Sequence, residues 1–344
     1  MPVAFRRFCT VILALLLGLS GAAAEQDDAD TSLDNQQASP VLTITVPAAG
    51  QSYDGSEQLT VRVEGRNISL ITLELRLPAQ TLTFENAGVS VEHIFQLDAP
   101  QTKGAVLVAR GYADPSKADG TPYAEQSLTI PSPREELIQK MIALAYANSQ
   151  NSRYQFAPAE TDTDIGVCKN FVMRLFDTYS AGYRMLAYPA LALHMPKNNS
   201  KKACAPYDYG IEWRPETASD GSPFEIAAQF KYDDSLSEEE NAALARNLLL
   251  QIKKGDFLQI VGYYGGGNGP HSLFVIRDYD PQTGMIHWTD SNMRGKRING
   301  VRWGYLQFDA DATVDWWVNV FNMKKRGATL YRLRDDLYRY TETE

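Results

Sequence analysis

Three places along the chain hold residues that could act together as a catalytic array: Cys168, His271, and the pair Asp290 and Asn292. Cys168 lies in Asp164-Ile-Gly-Val-Cys-Lys-Asn-Phe-Val172, at the end of a polar loop and before a stretch with helical spacing. A thiol at a helix N-terminus meets unpaired backbone N–H groups and the positive end of the helix dipole, and both favour the thiolate. The same groups can hold an oxyanion, so the Cys168 N–H is itself an expected oxyanion donor. His271 follows Gly265-Gly-Gly-Asn-Gly-Pro270 and heads the apolar run Ser272-Leu-Phe-Val-Ile-Arg277. An imidazole there is placed to act as a general base. Asp290 and Asn292 close the run Ile286-His-Trp-Thr-Asp-Ser-Asn292 and share a face by the period of two. Either can accept the second ring N–H of His271 and fix its tautomer and orientation. The expected chemistry is thiolate attack on an amide carbonyl, protonation of the leaving amine by His271, and release by water. No metal or organic cofactor is required. The histidines and cysteines show no CxxC, HxxH or HExxH spacing of a zinc site.

The elements that must position these residues are legible as hydrophobic periods. Residues 135–148 carry Leu137, Met141, Ile142, Leu144 and Ala145 roughly on one helical face. Phe171, Val172, Leu175, Phe176 and Tyr179 predict a buried helix face directly behind Cys168. Residues 180–234 read as irregular, and Ser235-Leu-Ser-Glu238 resembles a capping box opening a helix to about residue 252. Strands are expected at 257–262, 272–277, 285–289, 302–308 and 329–333. A hairpin about Asp278-Tyr-Asp-Pro-Gln-Thr-Gly284 would bring the His271 and Asp290 strand ends side by side. That turn is acidic, but it lacks a glycine in the place a calcium loop requires and the distal bidentate glutamate. Helices first and strands after predict an α+β unit.

In this order, the motifs of residues 133–344 resemble the papain-like bacterial cell-wall hydrolases of the CHAP type and the related NlpC-type endopeptidases. The residues that carry the likeness are Cys168 at a helix start, Lys254-Gly255-Asp256 before a strand, His271 heading the next, and Asp290-Ser-Asn292 on the one after. The resemblance implies an α+β papain-like domain whose thiolate attacks an amide of peptidoglycan or another cell-wall peptide through an acyl-enzyme. It also makes His287 a further candidate for the third catalytic position, since NlpC-type members often place a histidine on this strand. The same Cys–His–Asp order is similar to that of transglutaminase-like proteins, which would act on protein substrates. A third reading is a non-catalytic scaffold that binds cell wall or a partner.

Upstream, seven short runs of period two fill residues 40–131, with turn residues between them. The block resembles a bacterial immunoglobulin-like domain, notably in Val41-LTITVPAAGQSYDGSEQLTVRVE-Gly65. The expected fold class is therefore an all-β immunoglobulin-like sandwich over 40–131, followed by an α+β papain-like domain over 132–344. Residues 25–39 are acidic and polar, as a solvated linker is. Residues 1–24 have the charges, apolar run and Ala22-Ala-Ala24 site of a secretory signal peptide. Export to the periplasm or cell surface is expected, with no membrane span in the mature chain. Without Arg6 and Arg7 the formal charge goes from −9 to −11. This argues against a nucleic-acid partner, which rewards clustered basic residues. Of three cysteines, Cys9 leaves with the signal, so Cys168 and Cys204 remain and could pair as a disulfide.

Overall fold

The computed structural model describes residues 39–55, 57–114, 120–151, 168–195, 221–260, 271–298, 301–325 and 327–341. The signal-like segment, nearly all of the acidic linker, the glycine run before His271, and Cys204 lie outside the described residues. The first seven strands are β1 (Val41–Val46), β2 (Gln58–Arg66), β3 (Leu70–Arg76), β4 (Thr81–Ala87), β5 (Ser90–Gln96), β6 (Ala105–Tyr112) and β7 (Ala124–Ile130). They form two antiparallel sheets, ordered β1-β2-β5 and β4-β3-β6-β7. Alternation decides what faces inward: Leu59, Val61 and Val63 of β2 and Ile71, Leu73 and Leu75 of β3 meet in one core.

The chain then enters α1 (Pro133–Gln150), with Ser132 as its N-cap, accepting from the Glu135 N–H at 3.2 Å, and Pro133 in its first turn. After it come α2 (Lys169–Ser180), β8 (Tyr183–Met185), β9 (Phe224–Phe230), α3 (Glu238–Leu249), β10 (Phe257–Ile260) and β11 (His271–Val275). The chain continues through β12 (Met285–Ile298), β13 (Val301–Thr313), α4 (Val314–Lys324), β14 (Ala328–Leu333) and β15 (Leu337–Arg339). Six of these strands make one antiparallel sheet, ordered β13-β12-β11-β10-β14-β9.

The middle strands of this sheet, β10, β11 and β14, are buried on both faces. Phe257, Phe274 and Tyr331 join a core with α1 and α2, whereas Leu258, Leu273, Val275 and Leu330 join another with α3 and α4. Burial on both faces explains why β10 and β11 read as nearly unbroken apolar runs. The capping box at the start of α3 is Ser237 with Glu240, two residues later than its sequence signal. Ser235 is instead taken up by Asp233, which accepts both its N–H and its hydroxyl.

The expected fold class does not match. Among the described residues the chain is mostly strand, fifteen strands in four antiparallel sheets against four helices. A six-stranded sheet lies between two pairs of helices, in place of helices followed by strands in a papain-like α+β domain. Nor do the small three- and four-stranded sheets stand as an immunoglobulin-like domain apart from it. Residues Ser39–Glu344 form one compact unit. Within it the Lys103 ammonium meets Asp335 at 3.0 Å, and Thr341 donates to the Asp54 carbonyl at 3.2 Å. The physical reason is β9. Its inner positions pair with β14, 98 to 109 residues onward, and that pairing cannot be inferred from a local period. The stretch read as irregular therefore supplies an edge of the main sheet.

Candidate active site

The site is assembled at one end of β11 and β12. These strands pair antiparallel, Phe274 opposite Thr289 and Val275 opposite Trp288, so the expected hairpin forms. Its turn is closed by Asp280, which accepts from the Gln282 N–H and the Thr283 hydroxyl, each at 2.8 Å. His271 heads β11, opposite Ile260 of β10. Its Nε2 lies 2.7 Å from Asp290 Oδ2. Asp290 is buried, 5% exposed, and the imidazole is largely enclosed, with 16% of its side chain exposed.

Cys168 is the N-cap of α2, whose buried face of Phe171, Val172, Leu175 and Phe176 anchors the helix in the core that also holds Phe274 of β11. The Cys168 side chain is half-buried and hydrogen-bonds the His271 ring. Because Nε2 serves Asp290, Nδ1 is the ring nitrogen left for the sulfur. The cysteine backbone adopts φ 36° and ψ −90°, a region a non-glycine residue enters at a cost of about 1–3 kcal/mol. Its N–H donates to the Ser291 carbonyl at 2.5 Å. That bond ties the start of α2 to the residue following Asp290, which brings sulfur, ring and carboxylate to one place. It also corrects an expectation: the Cys168 N–H is already used by Ser291. The next amides of the helix, Lys169 to Phe171, are the ones a first turn leaves without intrahelical partners.

His271 is balanced between opposing influences. Burial disfavours the imidazolium, but the ring's hydrogen bonds to Asp290 and Cys168, with their charges, outweigh it and hold its pKa up to about 9, above the ordinary 6.5. The ring is therefore held as imidazolium at neutral pH. A thiol beside such a cation, at the head of a helix, favours the thiolate form.

Of the two candidates for the orienting residue, Asp290 meets the ring, and Asn292 is exposed farther along β12. His287 belongs elsewhere. It is half-buried, its Nδ1 is 2.8 Å from Asp309 Oδ1, and Asp309 also binds Arg277. The Lys254-Gly255-Asp256 motif plays a structural part. Asp256 is fully buried and receives Arg332 Nε at 2.9 Å and Nη2 at 2.7 Å, together with the Lys253 N–H. Gly255 has φ +90°, and a Cβ there would lie 2.4 Å from the Ile138 side chain. The motif thus sets the turn into β10 and its register against β11, where the Gly255 N–H donates to the Val275 carbonyl.

One site residue escaped sequence reasoning. Trp288 donates its Nε1–H to Asp290 Oδ2 at 3.2 Å. The available signal was its place two residues before Asp290 on one strand, hence on the same face. Among the described residues no group of three or more His, Cys, Asp or Glu side chains is gathered as a metal-binding set. No helix among them is long and apolar enough to cross a membrane. No protein-family model matches this chain, and no curated protein matches it.

Proposed function

We propose that this protein is an exported cysteine hydrolase that cleaves an amide bond in peptidoglycan or another cell-wall peptide. The observation that carries this reading is the Cys168–His271–Asp290 array, with His271 Nε2 2.7 Å from Asp290 and the cysteine side chain on the ring. In the proposed cycle the Cys168 thiolate attacks the amide carbon, and the carbonyl π electrons move to oxygen. Helix amides following Cys168 receive that oxyanion. The His271 imidazolium gives its proton to the nitrogen as the C–N bond breaks, leaving a thioester. Water then adds to the thioester, losing its proton to His271, and the carboxylic acid departs as the thiolate reforms. Asp290 keeps the ring oriented and compensates its charge throughout. Cell-wall substrate and export rest on the motif order that resembles the CHAP and NlpC-type hydrolases and on the signal-like N-terminus.

The test is digestion of purified peptidoglycan, with released fragments identified by mass spectrometry, for the parent protein and Cys168→Ala. New amine and carboxyl ends that depend on Cys168 are expected. A parallel incubation with a protein substrate and a primary amine reads transglutaminase-like transfer. Cys168-dependent product there and none from peptidoglycan would replace this reading. Identical behaviour of parent and variant in both would end it in favour of a binding scaffold.

A further inference from the structure

We propose that Trp288 is a positioning residue of the array, its indole N–H fixing the Asp290 carboxylate and, through it, the ring of His271. This deepens the Cys–His–Asp reading above and rests on it. His271 Nε2 at 2.7 Å and Trp288 Nε1 at 3.2 Å both meet the same oxygen, Oδ2. The other oxygen, Oδ1, is buried with no hydrogen-bond partner among the described residues. The terminal torsion of an aspartate is intrinsically broad, so no rotamer preference holds the carboxylate in one plane. If the indole N–H were absent, the described hydrogen bond left to orient the carboxylate would be the one from His271, the group it is meant to orient.

Trp288 is held independently of the array. It is 7% exposed, and its ring meets Trp317 edge-on at 5.1 Å between centroids, with 64° between planes. Trp317 is itself buried on α4, with the ring of Phe321 tilted against it at 5.9 Å between centroids. Orientation therefore passes from α4 to the indole, from the indole to the carboxylate, and from the carboxylate to the imidazole. A tryptophan needed only for bulk would not require its N–H to point at a buried carboxylate. A donor to an ionised acceptor away from water makes one of the stronger directional contacts a neutral side chain can offer.

The experiment removes the N–H and keeps the ring. Trp288 is replaced in the full-length chain by 3-benzothienylalanine, in which sulfur takes the place of the indole nitrogen, and separately by Phe. Two quantities are measured: the rate of Cys168 alkylation by iodoacetamide at neutral pH, and the His271 titration by NMR, assigned through His271→Gln. Thermal melting of each variant shows whether the fold is kept. With the sulfur analogue we expect an unchanged melting temperature, alkylation slowed about tenfold, and a His271 midpoint lower by about one pH unit. An unchanged rate and midpoint would overturn the proposal. So would a midpoint that rises with the rate retained, because losing a donor that only shares the carboxylate's charge would strengthen Asp290's hold on the imidazolium. Should the analogue melt early, the Phe variant decides on the same two readouts among molecules still folded. The underlying array fails separately. In that case the parent's Cys168 reacts no faster than an ordinary thiol and is indifferent to His271→Ala.

Discussion

Replacing Asp290 by Asn should change how the stability of this protein depends on pH, by an amount the site geometry sets. His271 titrates near 9 in the folded chain against 6.5 for an ordinary imidazole, with Asp290 at 2.7 Å supplying the largest upward influence. A group whose folded pKa is raised binds its proton more tightly in the native state. Its stabilisation is complete below 6.5 and is lost as pH rises through about 9. At about 1.4 kcal/mol per pH unit, that interval corresponds to about 3 kcal/mol, the upper limit for this one group. Part of it belongs to Cys168, which the substitution leaves in place. Urea unfolding of the parent, repeated between pH 6 and 10, should therefore show stability falling by about 1.4 kcal/mol per pH unit across the window from this group. In Asp290→Asn the slope should flatten, with the gap between the two proteins widest near pH 6.5 and closing above 9. The closure follows because the parent then holds a buried carboxylate beside a neutral ring, a cost that the amide avoids. Thiol ionisation contributes to both curves, so their difference isolates the carboxylate. Parallel curves over the whole range would refute the reasoning, since they would mean that Asp290 does not hold the His271 proton.

Two further substitutions probe the frame around the site. Arg332→Ala leaves the fully buried Asp256 carboxylate without its guanidinium, and should destabilise the fold by about 3–5 kcal/mol in urea unfolding; a loss below about 1 kcal/mol would show that Lys253 and neighbouring backbone suffice to satisfy it. Gly255→Ala must place a Cβ 2.4 Å from Ile138 Cδ1 at φ +90°, so a lower melting temperature is expected, by a backbone cost of about 1–3 kcal/mol before any clash is counted. An unshifted melting temperature would mean that the turn into β10 readily adopts another conformation.

The candidate site was more legible than the fold around it. Cys168 ahead of a helical period, His271 at the head of an apolar run, and Asp290 on the following strand could each be placed by local spacing. The hairpin that joins the last two could be placed by its turn residues. The choice between Asp290 and Asn292 could not. Both satisfy the period of two, and only burial and the contact with His271 distinguish them. The same holds for His287, whose partner Asp309 lies 22 residues after it and is shared with Arg277.

Local sequence also misled where burial on two faces erased alternation. The apolar runs of β10 and β11 could be recognised as strands, but not as the middle of a sheet covered by α1 and α2 on one side and α3 and α4 on the other. The expected sandwich-plus-papain-like architecture failed for that reason, since strand order is set by pairings such as β9 with β14 that are remote in sequence.

What the amino-acid sequence determined by itself is the inventory of chemistry: one thiol ahead of a helix, one imidazole ahead of a strand, and an acid within reach if a hairpin closed. Those choices depend on side-chain type and on periods of two and 3.6, which are local. Tertiary structure alone decided which acid meets the ring, that the Cys168 N–H is bound to Ser291, and that Trp288 donates to Asp290. The first two are distances between elements and the third is set by how Trp317 packs the indole, so all follow from how cores on two faces of one sheet fill with side chains from remote parts of the chain.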